Sequence, residues 1–447
     1  MAQAGWLASQ TRTPFHIHEL GSVMSNDYPS TMASESLDTV AQASGAVTAG
    51  HRFGKAVPAS ARLVLAMLQS IKHGTLDIEL PDGKRLSVGH GAPSAQIRLA
   101  NWKPFSAALR RGDIGFAESF IAGDWSSDSL AGVLEIAVAN RDQLESAIYG
   151  RWWTQLIARL RHLLNRNDRA GSRRNIQAHY DLGNPFYRLW LDPSMSYSSA
   201  LFAGRPDLTL EQAQHAKYQR VIDELALPRG AQILEIGCGW GGFVDQAARQ
   251  GLRVRGLTLS HEQLAYANDR IRAAGLESLV DIELKDYRDE TRLHDGIASI
   301  EMFEAVGERY WPAYFDTIQR TLAPGGRAVI QTITIADALF ARYRRGTDFI
   351  QQYVFPGGML PSDAAFRAQA ERAGLRVATS LAFGQDYAQT LALWRHAFMA
   401  KLDAVRAQGF DTRFEKTWEF YLAYCEAAFR HRSTDVVQYT LEHAPRR

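Results

Sequence analysis

Cysteine is nearly absent from this sequence: Cys238 and Cys425 are the only two in 447 residues. That count excludes a disulfide framework and makes a reducing setting, the cytoplasm, the expectation. Charge of one sign is missing as well. Lys and Arg total 50 against 48 Asp and Glu, so no global field draws the protein to nucleic acid, and an anionic partner has to be met locally. No apolar run reaches about 18 residues, and His16, His18 and Glu19 stand where a signal peptide needs its apolar stretch. Neither export nor a membrane span is expected. What remains, 46% hydrophobic and 22% charged residues, is the composition of an ordinary globular chain. Its length predicts about two or three domains.

Residues 1–52 are rich in Ser, Ala, Thr and Gly without any sustained period, which predicts a disordered segment. Residues 53–166 read as a small α+β domain and its connection. A helical ASARLVLAMLQSI is followed by the alternating segments GTLDIEL and RLSVGH around the turn PDGK, and further helical pieces lie near Phe105 and Leu130. An amphipathic helix is expected over Arg141–Arg166, with Leu144, Ile148, Trp152, Leu156, Leu160 and Leu164 at spacing four. Arg151, Arg159, Arg161 and Arg166 share it. Such a helix either lies on anionic lipid headgroups or simply connects domains, with solvated arginines.

Within residues 167–447 the run ILEIGCGWGGF leads an apolar strand through Gly237, Gly239, Gly241 and Gly242 into a helix. Glycines allow a tight turn and close approach of a ligand, and the helix start points free amides at the same place. Gly237, Gly239 and Gly242 satisfy G-x-G-x-x-G, so a dinucleotide is one reading, and a plain strand-to-helix turn is another. A dinucleotide site expects an acid about 20 residues further on. Here the next strand ends in Thr258 and Ser260. Glu235, two residues before the first glycine, instead fits the cationic end of S-adenosylmethionine, which has no pyrophosphate.

From Pro228 strands and helices alternate: Gln232–Ile236, Val254–Leu259, helix His261–Ala274, Val280–Leu284, Gly296–Ile300, a helix near Tyr310–Leu322, and Arg327–Ile333. This predicts a doubly wound α/β sheet of Rossmann-like type with ligands at the carboxyl ends of its strands. Gly237, Thr258, Asp286, Glu304 and Gln331 then share one rim. An insertion over Ala336–Pro361 and a last helix carrying Phe414, Trp418, Leu422, Cys425 and Phe429 complete the expected order.

Four segments, QAHYDLGNPFYRLWLDPSMSYSSALF (177–202), LEIGCGWGG, IEMFEAVGERYWPAYF (300–315) and QQYVFPGGMLPS (351–362), resemble the cyclopropane-fatty-acyl-phospholipid synthases, mycolic-acid cyclopropane synthases and related fatty-acid methyltransferases. GDIGFAESFIAGDW (112–125) is similar to the family's lipid-facing N-terminal module. The resemblance implies a class I methyltransferase domain behind a smaller lipid-binding domain. It implies a protein peripheral on the inner face of the membrane, with a homodimer as the implied assembly, that moves a methyl carbon from S-adenosylmethionine to the double bond of an unsaturated phospholipid acyl chain. Proton loss from the new methyl closes a cyclopropane, and loss from a neighbouring carbon leaves a methyl or methylene branch.

The resemblance assigns the cofactor to Tyr197, Ser198, Gly237, Gly239, Thr258, Ser260, Gln263, Asp286 and Tyr287. It assigns the base to a bicarbonate ion held by the Ser199 and Ile333 backbones with Glu304, Gln331 and Tyr387. Two of these positions depart from the family pattern: Ser199 replaces a Cys, and Gln331 replaces a His. A glutamine amide donates to an anion but carries no charge and relays no proton near neutral pH. A branched product, or a lipid-binding homologue without catalysis, therefore stands beside ring closure. Tyr353, Phe355, Trp394 and Phe398 are candidates for the wall of an acyl tunnel.

Overall fold

The computed structural model describes residues 57–148, 182–205 and 207–445. The expected disordered segment 1–52 and the aromatic, basic stretch of the helix expected over Arg141–Arg166 lie outside the described residues.

The smaller domain runs α1 (Ala59–Leu68), β1 (Gly74–Glu79), β2 (Arg85–His90), β3 (Ser94–Leu99), α2 (Lys103–Ile121), β4 (Trp125–Ser126), α3 (Leu130–Ala139) and α4 (Arg141–Ile148). Alternation dictates the sheet. Leu76, Ile78 and Val88 are buried while Asp77 and Ser87 face solvent, so one face of the β1–β2 hairpin covers the helices. The strand β3 was not anticipated, although its Ala95, Ile97 and Leu99 alternate in the same way and pack inward.

The larger domain begins with α5 (Asn184–Tyr187) and α6 (Leu210–Leu225). It continues with β5 (Gln232–Ile236), α7 (Gly242–Arg249), β6 (Arg253–Thr258), α8 (His261–Ala274), β7 (Val280–Leu284) and β8 (His294–Ile300). Next come α9 (Trp311–Thr321), β9 (Leu322–Ile335), α10 (Asp337–Tyr343), α11 (Phe349–Tyr353), α12 (Asp363–Arg372) and β10 (Leu375–Ala382). The chain ends with α13 (Gly384–Met399), α14 (Leu402–Ala407), α15 (Thr412–Arg430) and β11 (Thr434–His443).

Seven strands form one sheet in the order β10-β11-β9-β8-β5-β6-β7. The alternating βα pattern from β5 to β9 is parallel, as expected. The end of the chain is not: β11 enters antiparallel between β9 and β10, and α15 is followed by a strand rather than ending the fold. β11 carries no continuous apolar run, because its buried Gln438 and Thr440 interrupt the hydrophobic pattern.

The chain leaves β5 in one direction to β6 and returns on its other side at β8, so the crevice between their carboxyl ends is the switch point of the sheet. Gly237 follows β5 there, and Glu301 follows β8. Over this crevice lie α13 and α15. Their apolar cores are continuous with those of α1, α3 and the small sheet in a single cluster that includes Leu65, Ile97, Leu134, Trp394 and Phe420. The smaller domain thus braces the helices that roof the site.

Candidate active site

Segment 195–203 has almost no regular structure, so other elements have to hold it. From α6, Gln214 Nε2 donates to the Ser198 carbonyl at 2.9 Å and Lys217 Nζ to Ser198 Oγ at 2.6 Å. From α13, Asp386 accepts from the amides of Phe202 and Ala203, and Thr390 Oγ1 accepts from Ala200 N. A capping box at Thr209 and Gln212 starts α6 in the right register, and its buried face, Ala213, Val221, Ile222 and Leu225, is interrupted by Gln214 and Lys217. Those two polar residues make the grip.

Lys217 is fully buried, and its ammonium sits 4.1 Å from the centre of the Tyr218 ring. Burial pulls its pKa down to about 8, opposed by the charges of Glu301, Asp192 and Glu235. Glu235, in β5, is buried with Oε2 lacking a hydrogen-bond partner among the described residues, and burial pushes its carboxyl up to about 8 against the pull of Lys217.

The glycine loop turns where a side chain would obstruct. A Cβ on Gly237 would meet Met302 Cγ at 2.7 Å, whereas one on Gly239, at φ +52°, would meet no atom of the described residues within 4 Å. An open cradle at Gly239 beside the orphaned Glu235 oxygen fits S-adenosylmethionine. Thr258 Oγ1 donates to Gln263 Oε1 at 2.9 Å, which leaves the amide nitrogen of Gln263 to donate elsewhere.

Two half-buried glutamates follow β8. Glu301 accepts from Ser199 N at 2.8 Å and Gln331 Nε2 at 2.7 Å on Oε1, and from Tyr387 Oη at 2.7 Å on Oε2. Glu304 Oε1 accepts from Ile333 N at 2.5 Å and Thr332 Oγ1 at 3.0 Å, and its Oε2 has no partner among the described residues. Burial raises both carboxyls. In Glu301 this is opposed by Lys217, Tyr387, Ser199 and Gln331, while in Glu304 the neighbouring Glu301 adds to it and the pKa reaches about 8. Glu304 therefore keeps its proton at neutral pH, and the negative charge of the pair belongs on Glu301.

One cavity of about 320 Å³ connects these groups. At the glycine-loop end the expected cofactor residues Tyr197, Ser198, Glu235, Gly237, Gly239 and Thr258 border it, with Gln263, Asp286 and Tyr287. Glu304, Ile333 and Tyr387 line it as well, and Phe355, Leu391 and Phe429 form its apolar wall.

Other expectations fall elsewhere. The Ser260 hydroxyl accepts from Gln263 N as the N-cap of α8, so it positions Gln263 instead of facing the cavity. Asp286 does border the cavity, but its carboxylate accepts from Arg288 Nε and Nη2. The Ser199 hydroxyl donates to the Ala200 carbonyl, so only its amide reaches an anion. Of the four proposed tunnel aromatics, Phe355 borders the cavity; Trp394 and Phe398 are core, and Tyr353 donates to Glu118 in α2. Glu301 and Lys217 were missed. The visible signals were the first glutamate in IEMFEAVG and a lysine on the apolar face of a capped helix.

The sequence profile of the mycolic acid cyclopropane synthetase family matches residues 167–439. Among characterised relatives, the tuberculostearic acid methyltransferase UfaA1 of Mycobacterium tuberculosis is 40% identical over 339 residues, covering 74% of this chain and 79% of that protein. The cyclopropane-fatty-acyl-phospholipid synthase of Escherichia coli K12 is 33% identical over 355 residues, 78% of this chain and 88% of that one. The crystal structure of the mycolic acid cyclopropane synthase CmaA1 complexed with SAH and CTAB is 32% identical, with a TM-score of 0.57 over 60% of this chain and 97% of that one. With the glycine cradle and the seven-stranded sheet, these likenesses make the chain a member of the mycolic acid cyclopropane synthetase family and an S-adenosylmethionine-dependent methyltransferase acting on fatty acyl chains.

Proposed function

We propose that the protein adds the methyl carbon of S-adenosylmethionine to the double bond of an unsaturated acyl chain in a membrane phospholipid, forming a cyclopropane fatty acid. The observation that carries this reading is the single cavity in which the glycine loop, two half-buried glutamates and an apolar aromatic wall meet. An isolated alkene is a weak nucleophile, so it reacts only when held dry and close to the donor, and Phe355, Leu391 and Phe429 exclude water along that wall. The bound cofactor supplies an electrophilic methyl group. Glu235, Gln263 and the Gly239 cradle are the residues suited to hold it.

Attack of the alkene leaves a cation on the acyl chain. The rings of Tyr197, Tyr421 and Phe429 border the cavity and offer it their π faces, after which a base removes a proton. Among the described residues no helix is long and apolar enough to cross a membrane. A second reading, a methyl or methylene branch, is supported by the neutral amide at Gln331 and by the 40% likeness to a relative named a methyltransferase.

Mass spectrometry of fatty-acid methyl esters from cells expressing the protein tests both. A gain of one CH2 on unsaturated chains is expected, and fragmentation tells ring from branch. Unchanged lipids refute the proposal.

A further inference from the structure

We propose that Glu301 is the protein's own catalytic base, its carboxylate standing where the family resemblance implies a bicarbonate ion. This rests on the alkene methylation proposed above. Of the groups assigned to bicarbonate, the Ser199 amide, the Gln331 amide and the Tyr387 hydroxyl all donate to Glu301. A fourth, the Ile333 amide, donates to Glu304. The donors are thus already engaged by side-chain carboxylates. A separate anion would have to displace them or lie against the Glu301 carboxylate, a like-charge contact that low dielectric penalises. These residues do not fit a bicarbonate ion.

The backbone agrees. Glu301 has a φ of +49°, a left-handed conformation that costs a non-glycine residue about 1–2 kcal/mol. Glycine would relieve that strain, so the glutamate is kept for its side chain. The carboxylate borders the cavity, and the Lys217 ammonium lowers its pKa against the effect of burial. Three donors and one cation oppose the effect of burial on it and hold it oriented.

In the step proposed, the π pair of the alkene forms the new C–CH3 bond, and the S–CH3 pair stays on sulfur to give a neutral thioether. The resulting cation loses a proton to Glu301. The freed C–H pair becomes either the third ring bond or a new double bond. The protonated Glu301 then returns its proton to water when the product leaves.

The test uses the full-length protein with vesicles of unsaturated phosphatidylglycerol and S-adenosylmethionine, in buffer stripped of carbon dioxide and in buffer with added bicarbonate. Wild-type rates should be the same in both. Glu301→Gln should lower kcat by roughly 10²–10⁴-fold without changing the affinity for S-adenosylhomocysteine. Glu301→Gly, which suits the local φ, should regain activity when formate or bicarbonate is added. A wild type that stalls without bicarbonate, or a fully active Glu301→Gln, overturns the inference while leaving methyl transfer intact. A wild type that adds no CH2 to any chain refutes the underlying reading as well.

Discussion

Gln331 and Gln438 lie directly opposite each other in the antiparallel β9–β11 pair, and Gln438 Nε2 donates to Gln331 Oε1 across 2.9 Å. Arg220 Nη1 donates in turn to Gln438 Oε1 at 2.9 Å. Because a guanidinium only donates, it sets the orientation of both amides and leaves Gln331 Nε2 aimed at Glu301. The departure from histidine is thus part of a polarised chain that ends on the carboxylate.

Gln438→Leu breaks that chain far from substrate. It leaves the buried Gln331 Oε1 unpaired, a cost of about 1–3 kcal/mol in stability. Urea unfolding should register this loss, kcat should fall, and affinity for S-adenosylhomocysteine should hold.

Lys217→Met removes the buried cation facing Glu301, Asp192 and Glu235. Without it the Glu301 carboxyl rises further, so the ascending limb of the pH–rate profile should move up by about one unit or more. An unmoved limb would mean that Lys217 only grips Ser198.

Gly239→Ala places a methyl in the cradle where no atom of the described residues lies within 4 Å. The fold should survive, because the left-handed φ costs alanine only about 1–2 kcal/mol. Calorimetry should show S-adenosylhomocysteine binding weakened about tenfold or more, equivalent to 1.4 kcal/mol or above.

The pH dependence of stability has a definite sign. Glu235 and Glu304 are raised from 4.5 to about 8, so in that window the folded chain holds protons that the unfolded chain has released, and stability falls as pH rises. Lys217 is lowered from 10.5 to about 8, so above that the unfolded chain binds the extra proton and stability recovers. Urea midpoints of the ligand-free protein should therefore pass through a minimum near pH 8. Glu304→Gln should flatten the falling limb by up to about 1.4 kcal/mol per pH unit.

The glycine loop, helix His261–Ala274 and the parallel strands were legible because each depends on residues adjacent in sequence. A run of apolar residues or a glycine at a turn announces itself locally. Membership of the family was readable for the same reason, since its motifs are contiguous.

What local pattern could not reveal was which glutamate would be served by which donors. Glu301 and Glu304 are three residues apart with the same side chain. They part company only because β8 stops at Ile300, the chain turns through a left-handed residue, and partners from segment 195–203, β9 and α13 converge on the first. Lys217 was hidden likewise, its role set by three acids distant in sequence. The sequence alone determined the cofactor loop and the sheet that carries it, since both follow from neighbouring residues. Only the tertiary structure decided where the charge sits, because burial and hydrogen bonding between remote segments set the protonation of a carboxyl group.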